Sequence, residues 1–240
     1  MEPKDRLIFP LDVPDRSMAL QYVHLLREEV GLFKVGLELF MAEGPQLLPF
    51  LMNTGPLSPA KIFLDLKLYD IPSTILGAIH TILPGVAWIT VPSDLGPTGL
   101  KKIIEGTALK VLAVTVLTST TGKDLEALGY ERQYGKDPTK LVIARAKLAR
   151  EAGCAGVVCS GKEVKAVKEK CGPDFLVVCP GIRPEWAAVP GDDQQRIVTP
   201  YEAIKNGADY IVVGRPIRTA PDPVAAARQV TAEIAAGMKG

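Results

Sequence analysis

The chain has 240 residues, 47% of them hydrophobic and 23% charged, with 28 Lys and Arg against 27 Asp and Glu. That is ample apolar material for a core, while a net charge of +1 without basic clusters argues against a nucleic-acid or polybasic membrane surface. No apolar run reaches the ~18 residues that a membrane span requires, and the mixed-charge start MEPKDR does not read as a signal peptide.

Short apolar runs alternate with helical segments along the whole chain. Strands are expected near 7–12, 32–36, 61–67, 86–91, 109–116, 155–159, 175–179 and 210–214. Helices are expected near 15–30, 41–52, 73–83, 97–106, 139–152, 162–170, 200–206 and 222–237. Thr199-Pro200-Tyr201-Glu202 is a capping box with proline at the first helical position, and Gly153 and Gly207 stand where left-handed helix caps belong. Gly85, Gly153 and Gly207 are each followed four residues later by Ile89, Val157 and Ile211 opening a strand, a weak internal repeat of a βα unit. Eight such units in this length predict an α/β fold, a (β/α)₈ TIM barrel forming a single domain over residues 1–240. A doubly wound sheet is the alternative, although no G-x-G-x-x-G follows the first strand. The polar insertion at about 118–138 follows the fifth strand and would lie on the active-site face of a barrel.

Cys154, Cys159, Cys171 and Cys179 form no C-x-x-C and have no histidine near them in sequence, so they read as buried, reduced thiols of a cytoplasmic protein rather than a zinc site. His24 and His80 fall in helical segments, which leaves Lys, Asp or Glu for any proton chemistry.

The third expected strand, FLDLKLYDIPSTI at 63–75, carries the main anomaly. Ile62, Leu64, Leu66 and Leu68 share one face, while Phe63, Asp65, Lys67 and Tyr69 share the other, with Asp70 just beyond. Burying several charges costs more than packing aliphatics in the same volume, so the cluster points to function rather than to a structural salt bridge. Acids on both sides favour a charged ammonium at Lys67, suiting it to donate a proton rather than to attack a carbonyl. Asp12 and Lys34 end the first two strands beside this array; a lysine at its centre would compete with a bound divalent metal. Gly214 and Arg215, with the PGIR stretch at 180–183, close strands seven and eight, where barrels commonly bind phosphate.

These stretches together resemble the orotidine 5′-phosphate decarboxylase family along nearly the whole chain. The resemblance rests on LD at 11–12, FKVGLELF at 33–40, FLDLKLYDIP at 63–72, VTVLTS at 114–119 and GVVCS at 156–160. It continues through PGIR at 180–183, DQQR at 193–196 with Thr199-Pro200, and VVGRP at 212–216. It implies conversion of orotidine 5′-monophosphate to UMP in de novo pyrimidine synthesis, with no cofactor and no metal. Related barrels with the same D-x-K-x-x-D element typically carry an acid where this chain has Lys34, which points to the metal-free branch.

Carried over residue by residue, the resemblance assigns Asp65, Lys67, Asp70 and Lys34 to catalysis. Asp12 and Lys34 would hold ribose hydroxyls, and Thr118 with Ser119 would read the base edge. Gln194 would bridge base and phosphate from a lid over about 181–194, while Gly214 and Arg215 bind phosphate near Arg183. Asp70, Ile71 and Thr74 would reach the neighbouring subunit's site, implying a homodimer. One departure stands out: the family often has histidine after strand four, where this chain has Pro92.

Overall fold

The computed structural model describes residues 1–53, 60–82, 85–187 and 198–240. Its strands are β1 (Leu7–Pro10), β2 (Leu32–Val35), β3 (Ile62–Leu64), β4 (Val86–Pro92), β5 (Lys110–Val114), β6 (Gly156–Val158), β7 (Leu176–Cys179) and β8 (Tyr210–Val212). Every neighbouring pair is parallel, and β8 returns to β1 through Leu7 opposite Ile211, so the sheet closes into an eight-stranded barrel in chain order. This is the TIM-barrel architecture expected from the alternation of elements; the doubly wound alternative is excluded by closure.

Twelve α-helical segments lie among the described residues. The first six are α1 (Arg16–Leu26), α2 (Leu37–Glu43), α3 (Leu47–Met52), α4 (Pro72–His80), α5 (Gly96–Glu105) and α6 (Gly122–Ala127). The rest are α7 (Arg132–Lys136), α8 (Pro138–Glu151), α9 (Val164–Cys171), α10 (Pro200–Lys205), α11 (Arg215–Arg218) and α12 (Pro223–Gly237). The capping box forms at α10, where Thr199 Oγ1 accepts from Glu202 N–H and Glu202 Oε2 accepts from Thr199 N–H. Gly153 and Gly207 adopt φ of +93° and +103° just past α8 and α10, as left-handed caps require.

Alternation along each strand builds two apolar layers. Ile8, Leu32, Phe63, Trp88, Leu112, Val178 and Val212 fill the barrel interior, while Leu7, Phe9, Phe33, Ile62, Leu64 and Ile89 pack between barrel and helices. Edge-on contacts of Trp88 with Phe63 and Tyr210, at ring-centroid distances of 5.7 and 4.6 Å, plug the interior. The interior is therefore a solid floor, and the open end of the barrel lies above it.

Three local expectations need correction. The helix expected over 41–52 is two helices, α2 and α3, because Gly44 turns the chain at φ +70° and Pro45 cannot supply the next helical N–H. The insertion at 118–138 holds two short helices, α6 and α7, the first opened by a Thr121–Asp124 capping box. Strand β3 stops at Leu64 rather than near 67, for a reason that lies at the site itself.

Candidate active site

Asp65 follows β3 immediately on the face that carries Phe63, so its carboxylate rises from the interior floor at the C-terminal mouth of the barrel. Lys67 should be the next residue on that face of a regular strand. Instead its φ is +50°, the one positive value at a non-glycine residue among those described. A left-handed side-chain-bearing residue costs roughly 1–2 kcal/mol, and a strand cannot continue through it. The shortening of β3 thus comes from the backbone turn that aims Lys67.

The turn is held by β4. Lys67 N–H donates to Thr90 Oγ1 at 2.9 Å, and Leu68 N–H donates to Thr90 O at 3.0 Å. On the β2 side, Asp65 N–H donates to Val35 O at 2.9 Å. The side chains then form a line of alternating charge. Lys67 Nζ lies 2.9 Å from Asp65 Oδ1, Lys34 Nζ lies 3.7 Å from Asp65 Oδ2, and Lys34 Nζ donates to Asp12 Oδ1 at 3.2 Å. Lys34 and Asp65 are the most enclosed members, with side chains 12% and 14% exposed. Charges this enclosed are tolerable only because each has a partner.

Two cavities flank this line and share Lys34, Asp65, Pro180 and Val212 as walls. One, of about 190 Å³, is bordered by Lys67, Thr118, Ser119 and the aliphatic ends of β5 to β8. The other, of about 260 Å³, is bordered by Asp12, Gly181, Arg183, Gly214, Arg215 and Arg218. The first suits a flat, mostly apolar ring with polar groups at its edge; the second presents three guanidinium groups suited to a phosphate. Gly214 is sterically required at its position: a Cβ there would meet Pro10 Cγ at 2.6 Å, so any side chain would push β8 and α11 off the end of β1.

The expected site residues Asp12, Lys34, Asp65, Lys67, Thr118, Ser119, Arg183, Gly214 and Arg215 therefore meet around one mouth. Gln194 and the second half of the expected lid, 188–194, lie outside the described residues. The base of that segment is pinned by a bridge between Ile182 and Val198, with Arg183 N–H donating to Val198 O at 3.1 Å. Asp70, Ile71 and Thr74 do not join the array within the chain. Asp70 is exposed and accepts Ile71 N–H at 2.6 Å, and among the described residues it forms no ion pair. Ile71 and Thr74 are exposed at the start of α4.

Three further residues belong to this region and were missed by sequence reasoning. Thr90, in β4, has the β-branched character of any strand residue. Arg218 sits one turn along α11 from Arg215 and donates to Asp12 O at 2.9 Å; the doublet of arginines in GRPIR was a signal available for it. Arg145, on α8, donates to Thr115 O and to the Tyr130 hydroxyl, tying the insertion to the end of β5. Its guanidinium also lies 3.8 Å from Asp94, and with Pro92, Tyr69 and Lys67 these groups border a third cavity of about 340 Å³.

A family model described as "Orotidine 5′-phosphate decarboxylase / HUMPS family" matches residues 5–230. The chain belongs to that family. It is 48% identical over 240 residues to an orotidine 5′-phosphate decarboxylase of Desulfosudis oleivorans, spanning 99% of this chain and 96% of the relative. The corresponding protein of Moorella thermoacetica is 43% identical over 245 residues, spanning 98% and 94% of the two chains. The crystal structure of orotidine 5′-phosphate decarboxylase from Lactobacillus acidophilus matches with a TM-score of 0.79 at 34% identity, covering 95% of this chain and 98% of that one. In this member of the orotidine 5′-phosphate decarboxylase / HUMPS family, Pro92 ends β4 and helps to wall the third cavity, beside Asp94 and Arg145.

Proposed function

We propose that the chain decarboxylates orotidine 5′-monophosphate to UMP in pyrimidine synthesis, without a cofactor or metal. The observation that carries this reading is the Lys34–Asp65–Lys67 line between a ring-sized cavity and an arginine-lined one. The pyrimidine would enter the first cavity with its edge at Thr118 and Ser119. The 5′-phosphate would enter the second, against Gly214, Arg215 and Arg183, with Gln194 joining the two ends. Asp12 and Lys34 would take the ribose hydroxyls between them.

In this arrangement the C6 carboxylate faces Lys67. When the C6–carboxylate bond breaks, CO₂ leaves and the electron pair stays on C6, where no carbonyl is placed to delocalise it. The Lys67 ammonium stabilises that charge and then gives its proton to C6, becoming a neutral amine that solvent reprotonates. Its fixed position, set by the backbone turn and by Asp65, lowers the reorganisation needed during the step. Lys34 and Lys67 put ammonium groups on both sides of Asp65, where a metal-dependent site would need room for a cation.

Asp70, Ile71 and Thr74 complete the site of a second subunit in a homodimer. The exposed position of Asp70, without an ion pair among the described residues, supports this reading, because a carboxylate that served its own chain's Lys67 would be found beside it. The test is the loss of orotidylate absorbance in EDTA-treated buffer. Full turnover is the expected result. Activity that disappears with EDTA and returns with magnesium would instead favour metal-dependent sugar-phosphate chemistry, and no turnover at all would remove the decarboxylase reading.

A further inference from the structure

Thr90 is fully buried on the interior face of β4, two residues beyond Trp88, where the barrel filling is otherwise apolar. A hydroxyl enclosed there must be hydrogen-bonded. Its oxygen has two neighbours: Lys67 N–H at 2.9 Å and Asp65 Oδ1 at 3.0 Å. The backbone N–H can only donate, so the hydroxyl oxygen accepts from it, and the single hydroxyl proton goes to the carboxylate. Asp65 Oδ1 thus receives donors from Thr90 and from Lys67 Nζ, which fixes the carboxylate relative to the ammonium. The carbonyl of Thr90 also receives Leu68 N–H, so one residue braces the left-handed turn at three points.

We propose that Thr90 is a positioning residue for the decarboxylation: its hydroxyl holds both the backbone of Lys67 and the carboxylate of Asp65, and thereby sets where the ammonium points. The proposal rests on the roles given to Asp65 and Lys67 above. Thr90 borders neither the ring-sized cavity nor the arginine-lined one, so it acts on the chemical step rather than on substrate capture. Misplacing a proton donor by about 1 Å is worth up to ~10²-fold in rate.

The test compares wild type, Thr90→Val and Thr90→Ser in the orotidylate assay, with thermal melting of each. Valine keeps the shape and removes the hydroxyl; serine keeps the hydroxyl and removes a methyl. Thr90→Val should lose about tenfold or more in kcat with KM within about threefold of wild type, while Thr90→Ser stays within about threefold in both. If Thr90→Val does not fold, Thr90→Ala gives the same comparison without an apolar methyl against Asp65. Wild-type kcat in the hydroxyl-free variant, a loss confined to KM, or an equal kcat loss in the serine variant would each overturn the proposal while wild type still turns over. Absence of turnover by wild type would instead overturn the decarboxylase reading, and the role of Thr90 with it.

Discussion

Lys67 combines two properties that oppose each other in an isolated chain: a strained backbone and an enclosed charge. Both are sustained by neighbours, the backbone by Thr90 and the charge by Asp65. Replacing the side chain leaves the turn in place, because the bonds that brace it run through backbone N–H groups. Lys67→Ala should therefore fold, as judged by circular dichroism, yet lose at least ~10²-fold in turnover, the usual worth of a positioned proton donor. Activity within tenfold of wild type would remove the role given to it. A second residue sets an acid–base expectation away from the site. Burial raises the Glu233 carboxyl above its ordinary value of 4.5; the Trp186 indole N–H opposes this and the nearby Glu185 charge adds to it. A folded-state value above the unfolded one means that ionised Glu233 costs stability at neutral pH, a cost relieved as pH falls through the folded value. Glu233→Gln keeps an acceptor for Trp186 and should raise stability at pH 7 by about 0.5 kcal/mol or less at this partly solvated position, read as a higher melting temperature. The gain should vanish below about pH 4.5, where the wild-type carboxyl is protonated in both states. A constant difference across that range would show that the effect is packing rather than charge.

At the scale of elements, the arginine-lined end of the site is built where β7 and β8 hand over to the chain beyond them. Arg215 opens the four-residue α11, directly after Gly214, whose lack of a Cβ lets β8 lie against Pro10. Arg215→Ala should weaken turnover of the 5′-monophosphate far more than of the phosphate-free nucleoside, since a charge-assisted arginine contact contributes roughly 1.5–3 kcal/mol. Equal losses on orotidine and its monophosphate would show that Arg215 does not meet the phosphate. The eight βα units were readable in advance because apolar alternation, helix caps and the glycines after helices repeat in step with the fold. The charged face of FLDLKLYD was readable for a related reason: Asp65 and Lys67 break an otherwise apolar period of two. The turn at Lys67 was not readable, because no glycine or asparagine marks it; a tertiary bond from β4 imposes it. Thr90 was hidden by its ordinary strand propensity, and Arg145 and Arg218 by their place on helices, where arginines usually face solvent. The split of α2 from α3 is written in Gly44-Pro45, a pair that stops a helix.

On the scale of the whole molecule, the rim beside the site is unusually apolar for an exposed surface. Tyr69 is 67% and Ile71 64% exposed, and Leu117 and Leu128 stand exposed on the loops after β5. Asp70 lies in the middle of this stretch with its carboxylate turned to its own backbone, whereas among the described residues Lys67 has Asp65 as its one acidic partner. A second copy covering this rim would bring its Asp70 to the free side of Lys67, so that each site combines Lys67 of one chain with Asp70 of the other. Mixing inactive Lys67→Ala and Asp70→Ala proteins in equal amounts under conditions of subunit exchange tests this directly. In a heterodimer one site collects both lesions and the other collects neither. Random exchange makes half of the dimers mixed, and half of their sites are intact, so activity should recover to about 25% of wild type. If Asp70 instead serves its own chain, every site keeps one lesion and mixing restores nothing. Recovery near zero, with native mass spectrometry showing that heterodimers had formed, would remove the shared site while leaving the role of Lys67 untouched.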